Sequence, residues 1–215
     1  MRFAAIETST QWCSVALWRD GEIACVERRA GNRHSELVLP MLQGLLQARE
    51  ELDAVAFGAG PGSFTGLRIA CGVAQGLAFA RGLPVLGVST LEALAEEAGA
   101  ARVVACLDAR MREVYYAALE KHGGLWREVI PVQCIAPEKA PRPRGAGWVG
   151  AGGGFAEYGE LGLPHVMPEV HPTAIAIARL AAPRFAAGEG VPAAVAAPVY
   201  VRDKVAFTKA ERAQR

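Results

Sequence analysis

The chain has 215 residues, with 23 basic and 22 acidic side chains, a formal net charge of +1 and 52% hydrophobic residues. This length is typical of one large domain or of two lobes, and the apolar fraction can build a sizeable core. A charge so close to zero gives no overall attraction to nucleic acid or to a membrane surface. Strongly basic nucleic-acid-binding proteins are therefore disfavoured as a class.

Cysteine usage and the N-terminal residues predict a cytoplasmic protein. The five cysteines form no C-x-x-C pair, which favours reduced thiols over disulfides or a zinc site. The N-terminus becomes polar too early for a signal peptide, and no apolar run approaches the roughly 18 residues of a membrane span. None of the four histidines has the H-x-x-x-H spacing of a metal site, and no metal or cofactor is predicted.

The predicted elements fall into two similar halves. The first half is predicted as strands at 2–7, 12–18, 22–29, 54–57 and 85–88 and helices at 35–47, 67–80 and 90–98. The second half is predicted as strands at 103–107, 113–119, 125–132 and 148–150 and near Val166, and helices after Gly152 and at 173–187. A shift of about 100 residues superimposes the two patterns and places Glu7 on Asp108. The sequence thus predicts a weak internal duplication, with an N-terminal lobe at 1–100 and a smaller C-terminal lobe at 101–215 that ends in a basic tail.

A glycine-rich loop, GAGPGSFTG, joins the strand at 54–57 to the helix at 67–80. Such a loop brings backbone close to a ligand or to a neighbouring segment, so it predicts either a phosphate site or a tight structural turn. No lysine precedes Ser63, which excludes a Walker A loop. Ser63 also stands where the dinucleotide fingerprint needs its third glycine, and the flanking Pro61 and Thr65 exclude a hydrolase elbow.

The helices at 35–47 and 67–80 are too apolar for surface helices. A surface helix normally keeps one polar face, so these two should be covered either by the rest of the chain or by a second subunit. Gly72 and Gly76 lie four residues apart and would let another backbone approach. The predicted partner interface consists of Leu37, Met41, Leu45, Leu67, Cys71, Ala74, Leu77 and Ala78.

Two α/β lobes that each begin with three antiparallel strands are typical of the actin-like ATPase (ASKHA) fold. That fold binds nucleotide between its lobes, beside an acidic residue in the first β-turn. No complete phosphate fingerprint is present, so the residues leave open a structural role and a vestigial nucleotide or phosphate site. The members of that candidate site are Glu7, Thr8, Ser9, Gly62, Ser63, Thr65, Gly66 and Asp108.

Five segments together resemble one known family across most of the chain. They are GPGSFTGLRIA (60–70), HSELVLPML (34–42), GVSTLEALA (87–95), LDARMREVYYA (107–117) and PVYVRDKVAFTKAE (198–211). The sequence is similar to the TsaB (YeaZ) family, a subunit of the bacterial complex that makes threonylcarbamoyladenosine in tRNA. The loop and the DAR-x-x-EVY block are its specific motifs. Glu7 departs from the family, which more often has Asp there, and this weakens the case for a nucleotide site.

The resemblance implies a non-catalytic subunit that pairs through its N-terminal lobe, either with itself or with the larger paralogue TsaD. TsaD would carry the metal and transfer the threonylcarbamoyl group to the adenosine next to the anticodon. The ATPase TsaE would complete the assembly, and tRNA would be bound only through the complex. The alternatives are a stand-alone actin-fold phosphotransferase, a glycoprotease-like peptidase, or a homodimeric scaffold unrelated to tRNA.

Overall fold

The computed structural model describes residues 1–46 and 51–202, which form two mixed β-sheets and five α-helices. The strands of the first sheet are β1 (Arg2–Glu7), β2 (Trp12–Arg19), β3 (Glu22–Arg29), β4 (Ala54–Gly60), β5 (Pro84–Ser89) and β11 (Val191–Pro192). Their order is β11-β5-β4-β1-β2-β3, so β3 forms one edge. The β2–β3 hairpin turns at Asp20–Gly21, both with positive φ, as the sequence predicts for a tight turn.

The second sheet repeats the topology of the first. Its strands are β6 (Arg102–Arg110), β7 (Glu113–His122), β8 (Leu125–Ile135), β9 (Val149–Ala151) and β10 (Val166–Met167). Their order is β10-β9-β6-β7-β8. Strands β6, β7 and β8 pair antiparallel, as β1, β2 and β3 do. Strands β6, β9 and β10 pair in parallel, as β1, β4 and β5 do. The mixed α/β architecture with two equivalent sheets is the actin-like ATPase fold, as predicted.

Three of the five helices in the described residues cover the faces of the first sheet, with α1 and α2 on one face and α5 on the other. The helices are α1 (His34–Leu45), α2 (Phe64–Arg81), α3 (Thr90–Ala98), α4 (Gly153–Tyr158) and α5 (Ala174–Ala186). Alternate residues of β1 point to opposite faces, as the pleat of a strand requires. Ala4 and Ile6 therefore pack under α1 and α2, whereas Phe3 and Ala5 pack under α5. The outer faces of α1 and α2 consequently lie on the same side of the molecule.

The two halves of the chain exchange helices. Leu91, Leu94 and Ala95 of α3 pack on the second sheet, although α3 follows the first sheet in the chain. Conversely, Ile177 and Phe185 of α5 pack on the first sheet, and β11 pairs with β5 of that sheet. The boundary predicted at residue 100 therefore lies between β1–β5 and β6–β10, but β11 and the exchanged helices cross it.

Several element boundaries differ from the predicted ones for identifiable reasons. Helix α1 begins at His34, one residue earlier than predicted, and its N-cap residue Arg33 makes no side-chain cap hydrogen bond. Helix α2 begins at Phe64, three residues earlier than predicted, because Ser63 caps it. Its C-terminus follows the expected pattern, since Gly82 adopts the left-handed conformation that glycine tolerates. The predicted end of the α1 helix at Gln47 lies outside the described residues.

A strap made of residues 193–202 crosses from the first sheet to the second. The Val199 amide donates to the carbonyl of Ala59 at 2.7 Å, and Gln75 of α2 donates to the carbonyl of Ala196 at 2.9 Å. At its far end, Arg202 donates to the carboxylate of Glu113 at 2.6 Å on β7. The strap therefore ties the two lobes together. The rest of the predicted basic tail, residues 203–215, lies outside the described residues.

Among residues 1–46 and 51–202, no helix is both long enough and apolar enough to cross a membrane.

We predict that the exchanged helices make unfolding of the two lobes cooperative. Replacing Leu94, which is fully buried between α3 and the second sheet, by Ala should lower the free energy of unfolding by about 2–5 kcal/mol. Denaturant titrations followed by circular dichroism and by tryptophan fluorescence should give one coincident transition. The control Leu125→Ala, at a position that is 64% exposed, should change the unfolding free energy by less than about 0.5 kcal/mol. Two separate transitions would contradict shared folding.

Candidate functional site

The glycine-rich loop lies directly against the turn between β1 and β2. The hydroxyl of Thr8 donates to the carbonyl of Gly66 at 2.7 Å, and the amide of Ser63 donates to the carbonyl of Ser9 at 2.7 Å. Thr8 and Ser9 are both buried. The structure thus brings Thr8 and Ser9 of the predicted site into contact with Gly66 and Ser63 of the loop.

The glycines in the loop are explained by this contact. A Cβ at Gly66 would lie 1.9 Å from the carbonyl oxygen of Thr8, and one at Gly62 would lie 2.6 Å from the Cβ of Ser9. Both distances are far below van der Waals contact, so only glycine fits. Of the two interpretations of the loop, the tight structural turn therefore accounts for its glycines without a ligand.

The polar residues of the loop have separate roles. The hydroxyl of Ser63 accepts from the amide of Gly66 at 3.3 Å and thereby caps α2. An N-terminal cap of this kind typically contributes about 1 kcal/mol to stability. Thr65 is exposed, one residue into the helix.

Glu7 is the buried acid of the first turn and is only 1% exposed. One carboxylate oxygen, Oε1, accepts from the amide of Ser9 at 2.5 Å, whereas Oε2 has no partner among the described residues. The carboxyl group fills the space beside Gly58, because a Cβ on Gly58 would lie 1.9 Å from Oε2 of Glu7. Burial raises the pKa of Glu7 to about 7, and the hydrogen bonds from Ser9 only partly offset that effect.

Asp108 occupies the equivalent turn in the second lobe but has a different environment. Its carboxylate accepts from the amide of Arg110 at 2.8 Å and from the hydroxyl of Tyr158 at 3.3 Å, and it pairs with the Arg110 guanidinium at 3.2 Å. Within the described residues, none of its hydrogen bonds or ion pairs reaches the first lobe. The structure thus does not join Asp108 to the Glu7 turn as one site.

Four of the eight residues predicted for the partner interface face the core of the chain itself. Leu67, Cys71, Ala74 and Ala78 are at most 4% exposed. The last three pack on the first sheet, and Leu67 lies beside Gly60 at the end of β4. Their assignment to a partner interface is therefore wrong, because a partner cannot reach them while the sheet remains folded. The apolar stripe of α2 that the sequence displays is the face that the sheet covers.

The four other predicted interface residues are only partly accessible. Met41 is 8% exposed, and Leu37, Leu45 and Leu77 are half-buried against the same core. They lie at the margins of the helices, where a partner could contact part of each side chain.

The outward face of the two helices combines Gly72 and Gly76, whose spacing predicts a close approach of backbone, with two apolar residues outside the predicted interface. Leu39 of α1 is 53% exposed and Phe79 of α2 is 80% exposed. Gly72 and Gly76 are also exposed, and a Cβ at either position would have no heavy atom within 4 Å. We call this surface, defined by Leu39, Gly72, Gly76 and Phe79, the outer helical face. In the sequence, the charged Arg68 indicates this face, because it lies about one helical turn before Gly72 on the same side of α2.

Aromatic and cationic side chains border the outer helical face at the start of α2. The guanidinium of Arg68 lies 3.9 Å from the ring centroid of Phe64 and donates to the hydroxyl of Tyr200 at 3.1 Å. The Phe64 and Tyr200 rings are 5.5 Å apart, and the residues are 42% and 49% exposed. Exposed aromatics next to arginine are typical of the anchor residues of protein interfaces.

Comparison with known proteins identifies the class to which this architecture belongs. Residues 26–149 match the family described as TsaD, tRNA N6-adenosine threonylcarbamoyltransferase. The solved structure of YeaZ from Pseudomonas aeruginosa superimposes with a TM-score of 0.86 and 41% sequence identity, covering 93% of this chain and 99% of that one. The chain is thus an actin-like fold protein related to the tRNA threonylcarbamoyltransferases.

Two curated relatives define the family more narrowly. Both are named tRNA threonylcarbamoyladenosine biosynthesis protein TsaB. The protein from Escherichia coli is 38% identical over 97% of this chain and 98% of its own length, and the one from Haemophilus influenzae is 36% identical over 95% of each. The chain therefore belongs to the TsaB (YeaZ) family, whose role is in threonylcarbamoyladenosine biosynthesis in tRNA.

We predict that Glu7 makes stability depend on pH. Because the pKa of Glu7 rises from 4.5 to about 7 on folding, the folded state favours the protonated carboxyl. The stabilisation is present below about pH 4.5 and is lost as the pH rises through 7. Relative to Glu7→Gln, the native chain should lose about 3 kcal/mol of unfolding free energy between about pH 4 and pH 8.

Urea titrations of the native chain and of Glu7→Gln across this pH range measure the difference. Titratable groups that both proteins share contribute equally and cancel in the difference between their unfolding free energies. The pH dependence of that difference therefore belongs to Glu7. Parallel stability curves for the two proteins would contradict a buried, neutral Glu7.

Proposed function

We propose that this protein is a non-catalytic scaffold subunit that supports threonylcarbamoyl transfer to tRNA by pairing with the catalytic paralogue TsaD. The observation that carries this proposal is the outer helical face, where large apolar side chains flank two exposed glycines on a regular helix. The ATPase TsaE would join through the same complex, and tRNA would contact the assembly rather than this subunit alone. Without TsaD, the same face would pair two copies of this chain.

The physical argument rests on close approach between helices. Phe79 provides a large apolar side chain that a partner can remove from water, which is worth about 1.5–3 kcal/mol when burial is complete. Gly72 and Gly76 leave open space above the helix backbone, so a partner helix can pack at short distance. Leu39 extends the apolar surface to the neighbouring helix.

The glycine-rich loop supports a scaffold role in a different way. The amide of Ser63 and the carbonyl of Gly66 are engaged with the β1–β2 turn, and the hydroxyl of Ser63 caps α2. The carbonyl of Val199 in the strap lies 2.6 Å from where a Cβ of Gly60 would be. The chain's own atoms thus fill the space next to the loop. The free cysteines fit a reducing compartment, and we place the protein in the cytoplasm.

We predict that Gly72→Arg separates association from folding. The substitution places a bulky cation in open space on an α-helix, where replacing glycine raises helix propensity by up to about 1 kcal/mol. The variant should be at least as stable as the native chain, yet it should lose binding to TsaD and self-association. Sedimentation velocity and a pull-down with the host's TsaD measure both.

Ala186→Arg is the matched control, because it adds the same side chain at an exposed position of α5 on the opposite side of the first sheet. It should bind TsaD like the native chain. Ala74→Arg is not a suitable test, because Ala74 is fully buried and an arginine there would disrupt folding. Unchanged association of Gly72→Arg would remove the outer helical face from the proposed interface.

We predict that threonylcarbamoyl transfer to tRNA by TsaD and TsaE depends on this chain, although the purified chain alone has no transfer activity. The assay follows incorporation of labelled threonine into tRNA with and without the chain, and with Gly72→Arg in its place. Transfer that proceeds equally without the chain would overturn the scaffold role. ATP turnover or peptide cleavage by the chain alone would instead favour the phosphotransferase or the peptidase.

A further inference from the structure

The free edge of the first sheet is an open template for another strand. Strand β3 is the last strand on one side and pairs only with β2 in the described part of the chain. It is eight residues long, whereas proteins usually keep edge strands short or cover them. An unpaired edge of this length can form backbone hydrogen bonds with an extended segment of another protein.

A groove runs beside this edge, between β3 and α1. Its volume is about 460 Å³, within the usual range of binding pockets. The apolar part of its lining consists of Val26, Leu37, Pro40 and Met41. Gly44 also lines the groove, and a Cβ there would meet no heavy atom within 4 Å, so this end of the groove is open.

Three guanidinium groups surround the apolar lining. Arg28 and Arg29 donate to neutral oxygens, the Glu27 carbonyl at 2.9 Å and the Gln11 amide oxygen at 3.1 Å. Within the described residues, neither has a carboxylate partner, whereas Arg33 pairs with Glu36 at 2.8 Å on the exposed surface. The groove therefore combines an apolar floor with an excess of positive charge.

We propose that this groove binds an extended acidic segment of a partner protein, which adds to the sheet as a strand beside β3. Val26 and Arg28 are two residues apart and line the same side of the strand, because side chains alternate along it. The segment would accordingly place an apolar side chain over Val26 and a carboxylate on Arg28, two positions apart. Backbone hydrogen bonds between the segment and β3 supply affinity, and the alternating side chains of the segment supply specificity.

The lining favours a peptide over RNA. Proteins bind single-stranded nucleic acid by combining cationic side chains with aromatic rings on which the bases stack. The described lining has cations but no aromatic side chain. Its floor is aliphatic and lies next to an open strand edge, which suits the alternating side chains of an extended peptide.

The groove and the proposed interface with TsaD can be tested separately, although both include residues of α1. The outer helical face is centred on Gly72 and Phe79 of α2, whereas the groove is centred on the β3 edge and its arginines. Binding at one can fail while binding at the other persists, so the two proposals are tested independently.

Fluorescence anisotropy with the full-length chain tests the groove. The probe is a labelled eight-residue peptide with Val and Glu alternating on one face and Thr on the other, compared with the same peptide carrying Lys for Glu. The acidic peptide should bind at least tenfold more tightly. The double variant Arg28→Glu/Arg29→Glu should reverse this preference, since it inverts the charge around the groove.

The control is Arg127→Glu, an exposed arginine on β8, the free edge of the second sheet. It should leave both affinities unchanged. Methylating alternate backbone amides of the peptide in two complementary sets tests strand addition. Only the set that faces β3 should weaken binding, again by at least tenfold.

Equal binding of the two peptides, or an unchanged preference in the double variant, would overturn the proposal. Insensitivity to both methylation sets would also overturn it, because only a diffuse charge effect would remain. Preferential binding of an oligouridylate would make the groove an RNA site instead. A native dimer that dissociates in the double variant, while no peptide binds, would make it a contact between copies.

Discussion

The fold depends on one close backbone contact, between the glycine-rich loop and the turn that follows the first strand. Gly66 and Gly62 allow the loop to approach the Thr8–Ser9 turn at distances that no other residue permits. The contact fixes where α2 starts, and the N-cap hydrogen bond that Ser63 accepts from Gly66 stabilises the same start. Because α2 packs along the first sheet from that point, the orientation of its outward face is set by this contact.

The sequence predicted the architecture well because hydrophobic periodicity and glycine positions report local structure directly. The edge strand β3 and helix α3 have the predicted bounds, and the internal duplication reappears in the strand order of both sheets. Periodicity cannot, however, reveal which distant element covers a helix. The packing of α5 on the first sheet depends on contacts between residues far apart in the chain, such as Ala174 and Ser14 on β2, and no local pattern contains them.

The candidate site was harder to predict, for a related reason. In an apolar helix, the stripe that binds the chain's own sheet and the stripe that could bind a partner look alike in sequence. Leu67 and Ala74 belong to the first kind, whereas Gly72 and Phe79 belong to the second. Small residues have weak hydropathy signals, so Gly72 and Gly76 indicated a close approach of backbone without entering the predicted interface. Glu7 and the glycine-rich loop belong to two different turns, after β1 and after β4, which come together because these two strands pair in parallel.

The exchange of helices also has a consequence for how this protein is synthesised. The face of the first sheet that carries Phe3 and Ala5 is covered by α5, which ends at Ala186. When the ribosome has translated β1 to β5, one apolar face of the first sheet is therefore still uncovered. Nascent chains emerge at about 5–20 residues per second, so this face stays exposed for several seconds until α5 has left the exit tunnel. Folding of the N-terminal half is completed by the C-terminal quarter, which makes a prematurely terminated chain a substrate for chaperones and proteases.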